Sequence, residues 1–298
     1  PRQVPAHIEV VDIAGLVQGA SRGEGLGNRF LGHIREVDAI LHVVRCFHDP
    51  SVPGGVDGPD PAGQAEVVNL EMALADLEAV ERRKEKVARL LKTGDRRYAE
   101  EMEALGRLQE KLSRGLPATG PDAGPDLPLL TAKPTLYVAN LGEEEATAGA
   151  GPPEPLARLA RQRGARIVGL CARLEAELSE VEPGERAGFL EAMGLRERGV
   201  DRLVTESYAL LGLLTFFTAN ETEARAWPVP SGTTARAAAG KVHSDMERGF
   251  IAAEVIGVEE LALAGSPAAA RKAGLVRLEG RDYVVRDGDV LLFRFKPP

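Results

Sequence analysis

The chain lacks several features that define whole classes of protein. It has only 2 cysteines among 298 residues, which leaves no cysteine-based metal set and no disulfide framework. Cys46 and Cys171 both lie in apolar, strand-like segments, so we expect buried, reduced thiols in a cytoplasmic protein. No run approaches the roughly 18 uninterrupted apolar residues that a membrane-spanning helix needs, so we expect no membrane contact.

An excess of positive charge is also missing. The 37 basic and 45 acidic residues give a net charge of −8, which argues against a uniformly basic nucleic-acid binder. DNA is therefore not an expected partner, although a local basic patch can still bind RNA. The 5 histidines are scattered, and their spacing gives no support for a zinc site.

One motif near the start of the chain points to nucleotide chemistry. The run Asp12-Ile-Ala-Gly15 follows the apolar residues 8–11, and glycines recur at 19, 23, 25 and 27. A strand ending in aspartate can direct its carboxylate at the water ligands of nucleotide-bound Mg²⁺, and the later glycine lets a backbone N–H approach the γ-phosphate. We therefore predict a strand at 8–11, Asp12 as an outer-sphere metal partner and Gly15 as the γ-phosphate sensor. A turn or helix-capping aspartate is the alternative.

The segments that follow carry a specific resemblance. Residues 16–28 read Leu-Val-Gln-Gly-Ala-Ser-Arg-Gly-Glu-Gly-Leu-Gly-Asn, residues 30–36 have helical register, and residues 38–47 read Asp-Ala-Ile-Leu-His-Val-Val-Arg-Cys-Phe. With these residues the chain resembles the YchF-type subfamily of Obg-related nucleotidases over nearly its whole length. The resemblance implies an α/β P-loop NTPase fold with a mostly parallel sheet. It also implies hydrolysis of ATP rather than strict GTP hydrolysis, with Mg²⁺ as cofactor.

The phosphate-binding loop of that family is absent from the sequence. No Gly-x-x-x-x-Gly-Lys-Ser/Thr motif occurs between Pro1 and Pro298. In the family resembled, roughly seventy residues that carry this loop would precede Pro1. Its strand would lie between the strand ending at Asp12 and the strand at 40–45, so the sheet would lose its middle. We expect the chain to be incomplete at its N-terminus, and we predict function for the complete form.

Helical periodicity begins after a loop rich in Pro, Gly and Asp at 49–63. Two apolar stripes, separated by a break at 93–95, predict an antiparallel helical hairpin inserted in the nucleotide-binding domain. The first stripe is Leu70, Leu74, Leu77, Val80, Val87 and Leu91, and the second is Tyr98, Met102, Leu105, Leu108 and Leu112. The charged residues of the hairpin favour a solvated face, with an RNA-docking surface as the alternative.

The remaining segments predict a second half of the nucleotide-binding domain and a C-terminal module. Strands are predicted at 135–139 and 166–171, with helices at 152–164 and within 189–214. The C-terminal pattern predicts strands at 215–218, 224–229, 250–255, 283–285 and 290–295, helices at 234–241 and 266–272, and a hairpin turn at 287–288. With the run Lys241-Val-His-Ser-Asp-Met-Glu-Arg-Gly-Phe250, it resembles the β-grasp TGS domain of ribosome-associated proteins.

The resulting domain assignment has four parts. Residues 1–64 and 117–213 form the two parts of the nucleotide-binding domain, residues 65–116 form the hairpin, and residues 214–298 form the TGS domain. The TGS domain and the hairpin predict a ribosomal partner, with ribosomal RNA as an additional candidate partner.

Two residues bear on how water is placed for hydrolysis. Classical regulatory GTPases place a glutamine after the glycine of the switch motif, whereas this chain has Leu16, which accepts no hydrogen bond. His42 lies inside an otherwise apolar strand, where an unpaired histidine is unfavourable. It is either a core histidine bonded to backbone or, as the resemblance implies, a residue that takes part in hydrolysis.

Base recognition is predicted at the carboxyl ends of two later strands, where ligands of open α/β sheets bind. The guanine-reading signature Asn-Lys-x-Asp is replaced by Asn140-Leu-Gly-Glu143, which favours ATP over GTP. The Cys-Ala pair at 171–172 is expected to supply backbone N–H contacts. The predicted base-binding residues are Asn140, Leu141, Glu143, Cys171 and Ala172.

These residues favour a ribosome-associated switch that binds and slowly hydrolyses ATP. A GTP-specific Obg-like factor is an alternative against which Glu143 argues. A non-catalytic adaptor that binds RNA or ribosomes through the TGS domain is the second alternative, because the sequence as given holds no phosphate-binding loop.

Overall fold

The computed structural model describes residues 2–13, 26–49, 60–119 and 127–296, with the side chains of 26–30 left aside. Contacts between Cα atoms divide the chain into two units. The larger unit spans Val11–Leu210, and the smaller one joins Pro1–Val10 to Leu211–Pro298.

The described elements, in chain order, are the following. The strands are β1 Arg2–Val4, β2 Ile40–Arg45, β3 Thr135–Asn140, β4 Arg166–Leu170, β5 Leu213–Ala219, β6 Glu223–Pro230, β7 Phe250–Gly257, β8 Arg277–Glu279 and β9 Asp289–Phe295. The helices are α1 Leu26–Glu36, α2 Pro61–Leu90, α3 Arg96–Ser113, α4 Glu143–Thr147, α5 Glu154–Gln162, α6 Ala172–Glu180, α7 Arg186–Ala192, α8 Gly199–Leu210, α9 Ala235–Val242, α10 Ser244–Arg248, α11 Val258–Ala264 and α12 Pro267–Lys272.

A parallel sheet in the order β2-β3-β4 forms the centre of the larger unit. One face, with Val44 and Tyr137, packs on α2 and α5. The other face, with Val138 and Val168, packs on side chains of α8. Strands covered on both faces are largely apolar, and residues 136–139 of β3 are all buried. The α/β class and the parallel sheet predicted from the sequence are confirmed.

The strand predicted at 8–11 is not present. Residues 5–13 have no regular secondary structure, and Val10 and Val11 are 66% and 57% exposed. A strand forms only where a neighbour accepts its ladder hydrogen bonds, and among the described residues β2 has β3 as its single neighbour. Without a strand alongside, an apolar run next to the switch motif is not sufficient to form one.

Helices α2 and α3 form the predicted hairpin. Asp60 caps α2 by accepting the N–H of Gly63, and Asp95 caps α3 by accepting the N–H of Arg97. A short 3₁₀ turn and Gly94, at φ +77°, reverse the chain between the two helices. The shared core contains Val80, Val87, Leu105, Leu108 and Leu112, as the periodicity predicts.

The first half of α2 departs from the predicted stripe. Leu70 is 51% exposed, while Met72 and Asp76 are buried. The cause is a change of partner along the helix: its second half packs on α3, but its first half packs on the sheet and on the segment before β3. Asp76 accepts hydrogen bonds from both backbone N–H groups of residues 130 and 131. A single stripe cannot describe a helix that contacts two surfaces.

The smaller unit is built on a six-stranded sheet in the order β1-β6-β5-β9-β7-β8. Its core gathers Phe216, Val255 and Phe293 from the sheet with Ala238 and Ala239 from α9. Strands β5, β6, β7 and β9 and helices α9 and α12 match the sequence prediction, whereas β1, β8, α10 and α11 were not predicted. The TGS assignment stays a prediction.

The strand predicted at 283–285 is wrong. Val284 makes one isolated bridge to Thr234, and the segment otherwise runs as turns into β9. Two hydrogen bonds to the Asp289 carboxylate explain this irregular backbone. The Tyr283 hydroxyl donates one of them, and the N–H of Arg286 donates the other. These bonds close a turn around Gly288, at φ +82°, where a regular ladder would need extended backbone.

Candidate functional site

The predicted base-reading residues meet at the carboxyl edge of the parallel sheet. Asn140 ends β3, and the Oδ1 atom of its side chain accepts the N–H of Ala172 at 3.0 Å. The N–H of Leu141 donates to the carbonyl of Leu170 at 2.8 Å. The segments after β3 and β4 are therefore joined by one side-chain bond and one backbone bond.

The bond to Ala172 fixes the orientation of the Asn140 side chain. Only the oxygen of a carboxamide accepts a hydrogen bond from an N–H, so Oδ1 points to Ala172 and the NH₂ group points elsewhere. This NH₂ group donates to no residue that the structure describes. The Ala172 N–H, which we predicted to contact nucleotide, is instead engaged by Asn140 and holds the loop in place.

The other predicted base-binding residues differ in exposure. Leu141 and Cys171 are buried, at 5% and 6% exposure, and pack in or beside the sheet core. Glu143 is exposed in the first turn of α4, followed by Glu144 and Glu145. Glu143 is thus the exposed side chain of this group, whereas Leu141 and Cys171 support the backbone around it.

An open cavity of about 590 Å³ lies beside these residues and contains an aromatic ring that the sequence prediction missed. Phe47 follows β2, and the guanidinium of Arg45 lies 4.9 Å from its ring centroid. The same arginine donates to the carbonyls of Phe47 and Asp49. The sequence could have indicated Phe47 as a site residue by its position, because it comes just after the carboxyl end of a strand in the same sheet. The lining residues are Phe47, His48, Gly142, Glu143, Glu144, Glu145 and Thr147.

His42 is buried in the middle of β2, at 9% exposure. It lies opposite Tyr137 in the parallel register, with ring centroids 5.2 Å apart and planes tilted by 31°. Its Nδ1 atom has no hydrogen-bond partner among the described residues. Burial first, and then the positive charge of Arg163, lowers the pKa of His42 to about 4, so the imidazole is neutral at pH 7. The hydrogen bond to a backbone group that we expected of a core histidine is therefore not present at Nδ1 among the described residues.

The switch segment is described only in part. Asp12 is exposed and belongs to no helix or strand, whereas Gly15 and Leu16 lie outside the described residues. No group of three or more His, Cys, Asp or Glu side chains that could hold a metal occurs within the described ranges. A single carboxylate suits Mg²⁺, which takes oxygen ligands and commonly combines one or two carboxylates with phosphate oxygens and water.

Both cysteines are free and buried, as predicted. Burial raises the pKa of the Cys46 thiol to about 11, so this thiol is protonated at neutral pH. None of the helices in the described segments is long and apolar enough to cross a membrane.

Comparison with known families agrees with this geometry. Residues 213–296 match YchF-GTPase_C, described as "Protein of unknown function (DUF933)". Residues 2–92 match MMR_HSR1, described as "50S ribosome-binding GTPase".

Individual relatives match over almost the whole chain. It is 46% identical to the "Ribosome-binding ATPase YchF" of Bacillus subtilis over 304 residues, which is 99% of this chain and 83% of the relative. It is 42% identical to the protein of that name from Escherichia coli O157:H7, over 99% of this chain and 83% of the relative.

A solved structure supports the same conclusion. The YchF GTPase of Schizosaccharomyces pombe superposes with a TM-score of 0.83 at 29% identity, covering 98% of this chain and 81% of that one. A GTP-binding protein from Pyrococcus horikoshii, at 21% identity and a TM-score of 0.56, covers 90% of this chain and 81% of its own, and shares the fold. With 46% identity across its length to a curated relative, the chain belongs to the YchF family of ribosome-binding ATPases.

Proposed function

We propose that this protein is a ribosome-associated switch that binds ATP and hydrolyses it slowly. The observation that carries the proposal is the hydrogen bond between Asn140 and Ala172, which joins two loops at the carboxyl edge of the parallel sheet. Ligands of open α/β sheets bind at this edge. The family relatives named as ribosome-binding ATPases support the same activity.

The geometry favours a purine at this edge. The NH₂ group of Asn140 can donate to N7, which is an acceptor in both adenine and guanine. Its Oδ1 atom has a second lone pair, which can accept a hydrogen bond from the exocyclic N6 amine of adenine. Guanine has the O6 acceptor at that position and offers no hydrogen to donate. The ring of Phe47 lines the cavity, with the guanidinium of Arg45 over its ring, and would offer an apolar surface to a bound base. ATP is therefore the expected substrate. Glu143 occupies the sequence position at which the guanine-reading signature has its aspartate.

The remaining site residues have roles at the phosphates. Asp12 would hold Mg²⁺ through its water ligands, and the ion when bound neutralises charge that develops on the phosphate oxygens. The N–H of Gly15 would meet the γ-phosphate. Leu16 cannot orient water, so we assign that role to His42, whose neutral ring keeps one nitrogen able to accept a hydrogen bond.

The hairpin supplies a candidate contact with ribosomal RNA. Five of its basic side chains are paired with neighbouring carboxylates: Arg82 with Glu78, Arg83 with Glu101, Arg96 with Glu100, Arg97 with Asp95 and Arg114 with Glu110. Near the turn between α2 and α3, however, Lys86, Arg89 and Lys92 are exposed and have no ion pair with any residue in the described segments. We propose that these three residues, the hairpin-tip cations, contact RNA phosphates. The paired residues form the solvated face.

The domain assignment belongs to this proposal. Residues 1–64 and 117–213 form the nucleotide-binding part, 65–116 the hairpin and 214–298 a TGS domain that contributes to ribosome binding. The protein would act in the cytoplasm, where ribosomes and ATP are both present.

Calorimetric titration with ATP and GTP tests the proposal. It is run on the 298-residue chain and on a chain begun in the upstream coding sequence, where that sequence supplies a phosphate-binding loop. We expect the extended chain to bind ATP at least about tenfold more tightly than GTP, which corresponds to roughly 1.4 kcal/mol. Preference for GTP would support an Obg-like GTPase instead. Binding of neither nucleotide, with ribosome binding retained, would support a non-catalytic adaptor.

A further inference from the structure

Helix α1 follows the switch motif and packs against the first half of α2. In the sequence it comes directly after the glycine-rich residues 15–25. Leu31 and Ile34 of α1, at 2% and 3% exposure, belong to one buried cluster with Met72 and Ala75 of α2. Because protein interiors are close-packed and barely compressible, a displacement of α1 acts directly on α2.

A turn at residues 130–133 also attaches the end of α1. Nζ of Lys133 donates to the carbonyl of Arg35, at 3.0 Å, and to the carbonyl of Val37. The last carbonyls of a helix have no partner within the helix and carry partial negative charge, so a lysine ammonium group caps them. The N–H of Lys133 donates to the carbonyl of Leu130, which closes the turn. Lys133 therefore fixes the end of α1 to this turn.

The same turn is attached to both helices of the hairpin. Asp76 of α2, at 1% exposure, accepts the N–H groups of residues 130 and 131 and the Thr131 hydroxyl, each at 2.8 Å. The Thr131 hydroxyl in turn accepts the N–H of Ala118, which follows the end of α3, at 3.0 Å. Buried hydrogen bonds of this kind are strong because water does not compete for them. The turn at 130–133 thus moves with the hairpin.

We propose that the turn at 130–133 couples α1 to the hairpin, with Lys133 as the positioning residue, so that nucleotide bound at the switch motif changes the affinity of the hairpin-tip cations for ribosomal RNA. Switch segments of nucleotidases are held by the γ-phosphate and its Mg²⁺ and are released on hydrolysis. The coupling rests on the proposed function, because it joins the proposed nucleotide site to the proposed RNA contact.

The length of α2 amplifies a small movement at the turn. The helix is continuous from Pro61 to Leu90, and about 20 Å of it lies between Asp76 and its last residue. A rotation of about 10° at Asp76 would displace the hairpin tip by about 4 Å. Val80 and Val87 in this second half are fully buried against α3, so the two helices move together.

Hydrogen exchange on the 298-residue chain tests the attachment without nucleotide or ribosomes. Lys133→Met removes the cap of α1 but keeps the apolar stem of the side chain. We expect amide exchange to accelerate about threefold or more at residues 31–37 and also at residues 68–80 of α2. Lys133→Arg, which keeps a donor, should restore most of the native protection. Acceleration at 31–37 alone, or at neither segment, would overturn the coupling.

Lys111→Met is the matched control. Nζ of Lys111, on α3, donates to the backbone carbonyl of Thr119 at 2.7 Å, so this variant also removes a lysine bond to a carbonyl at a helix end. It should change exchange near residues 108–119 and leave 31–37 and 68–80 as in the native chain. Equal acceleration by both variants would show a general loss of stability and overturn the assignment of Lys133. If Lys133→Met does not fold, Lys133→Gln takes its place.

Ribosome affinity with and without a non-hydrolysable ATP analogue tests the functional consequence. In the ATP-binding form of the native protein, the analogue should change ribosome affinity at least about fivefold. Lys133→Met should reduce this factor to about twofold or less, with the affinities for analogue alone and for ribosomes alone nearly unchanged. A merely structural role would instead lower both separate affinities, and that result would overturn the proposal.

The native protein separates this proposal from the proposed function. If it binds ATP and ribosomes but neither ligand alters the affinity for the other, the coupling is overturned and the proposed function stands. If it binds no ATP, the proposed function is overturned, and the exchange experiment alone decides whether Lys133 attaches α1 to the hairpin.

Discussion

The Oδ1 atom of Asn140 lies 3.0 Å from the backbone nitrogen of Ala172 and accepts its hydrogen. This bond orients the Asn140 amide, the proposed base-reading group, from a residue on a different loop. Ala172 is the first residue of α6, and Cys171 before it has extended backbone, at φ −106° and ψ 108°. Proline is tolerated as the first residue of a helix that follows an extended residue. Replacing Ala172 with proline therefore removes the N–H that bonds to Asn140 and leaves α6 intact.

We expect Ala172→Pro to weaken ATP binding about tenfold, since it removes one hydrogen bond of roughly 1 kcal/mol and frees the Asn140 amide to turn. Calorimetric titration of the ATP-binding form measures the change. Ala172→Ser retains the N–H and is the control, which should bind ATP normally. Equal binding by both variants would mean that the bond does not orient Asn140.

A buried carboxylate on α2 gives a prediction about stability. Asp76 is 1% exposed and accepts three hydrogen bonds from residues 130 and 131, two from backbone N–H groups and one from the Thr131 hydroxyl. Asp76→Ala leaves these donors unpaired, so we expect a loss of about 3 kcal/mol in the free energy of unfolding, measured by urea denaturation. Glu78→Ala, on the same helix but in an exposed pair with Arg82, should cost less than about 0.5 kcal/mol. Comparable losses would contradict the assignment.

Two glycines of the hairpin should respond in opposite ways to the same substitution. Gly106 is inside α3 with no atom near an added Cβ, so Gly106→Ala should stabilise the fold by about 0.5–1 kcal/mol. Gly115 also has free space, but its φ of +70° strains any other residue, so Gly115→Ala should destabilise the fold by about 1 kcal/mol. Thermal and urea unfolding measure both. A gain from Gly115→Ala would show that the turn after α3 is not left-handed in solution.

The hairpin-tip cations should control ribosome affinity. Changing Lys86, Arg89 and Lys92 to Glu should reduce cosedimentation with ribosomes by about tenfold or more and flatten its dependence on salt, because fewer counterions are released. The control changes Arg82, Arg96 and Arg114 to Glu, which alters net charge equally but acts on side chains already paired within the hairpin. If both triple variants lose affinity equally, general repulsion rather than a tip contact is responsible.

Local sequence was sufficient where one element meets one surface. The alternating apolar residues of β7 and β9, the regular stripe of α3 and the capping residues Thr234 and Ser266 each specify their element without reference to distant residues. Sequence also placed Asn140 at a strand end. It could not predict that Asn140 would bond to Ala172, which is 32 positions later in the chain.

Local sequence failed where a distant partner decides the outcome. The apolar run at 8–11 forms no strand, because strand formation depends on a neighbour's hydrogen bonds rather than on its own composition. The exposure of Leu70 and the burial of Asp76 follow from α2 changing partners along its length. Phe47 became a candidate base contact only when the sheet placed the end of β2 beside Gly142 and Glu143.

The sequence by itself determined the family, the α/β class, the hairpin and the position of Asn140 at the end of a strand, because these depend on motifs and periodicities that are continuous along the chain. Tertiary structure alone decided the orientation of Asn140, the burial of His42 and the packing of its ring against Tyr137. The physical reason is that hydrogen-bond geometry and desolvation depend on which atoms are adjacent in space. In this chain His42 of β2 packs against Tyr137 of β3, whose hydroxyl bonds to Asn69 of α2, and these three elements are far apart in sequence.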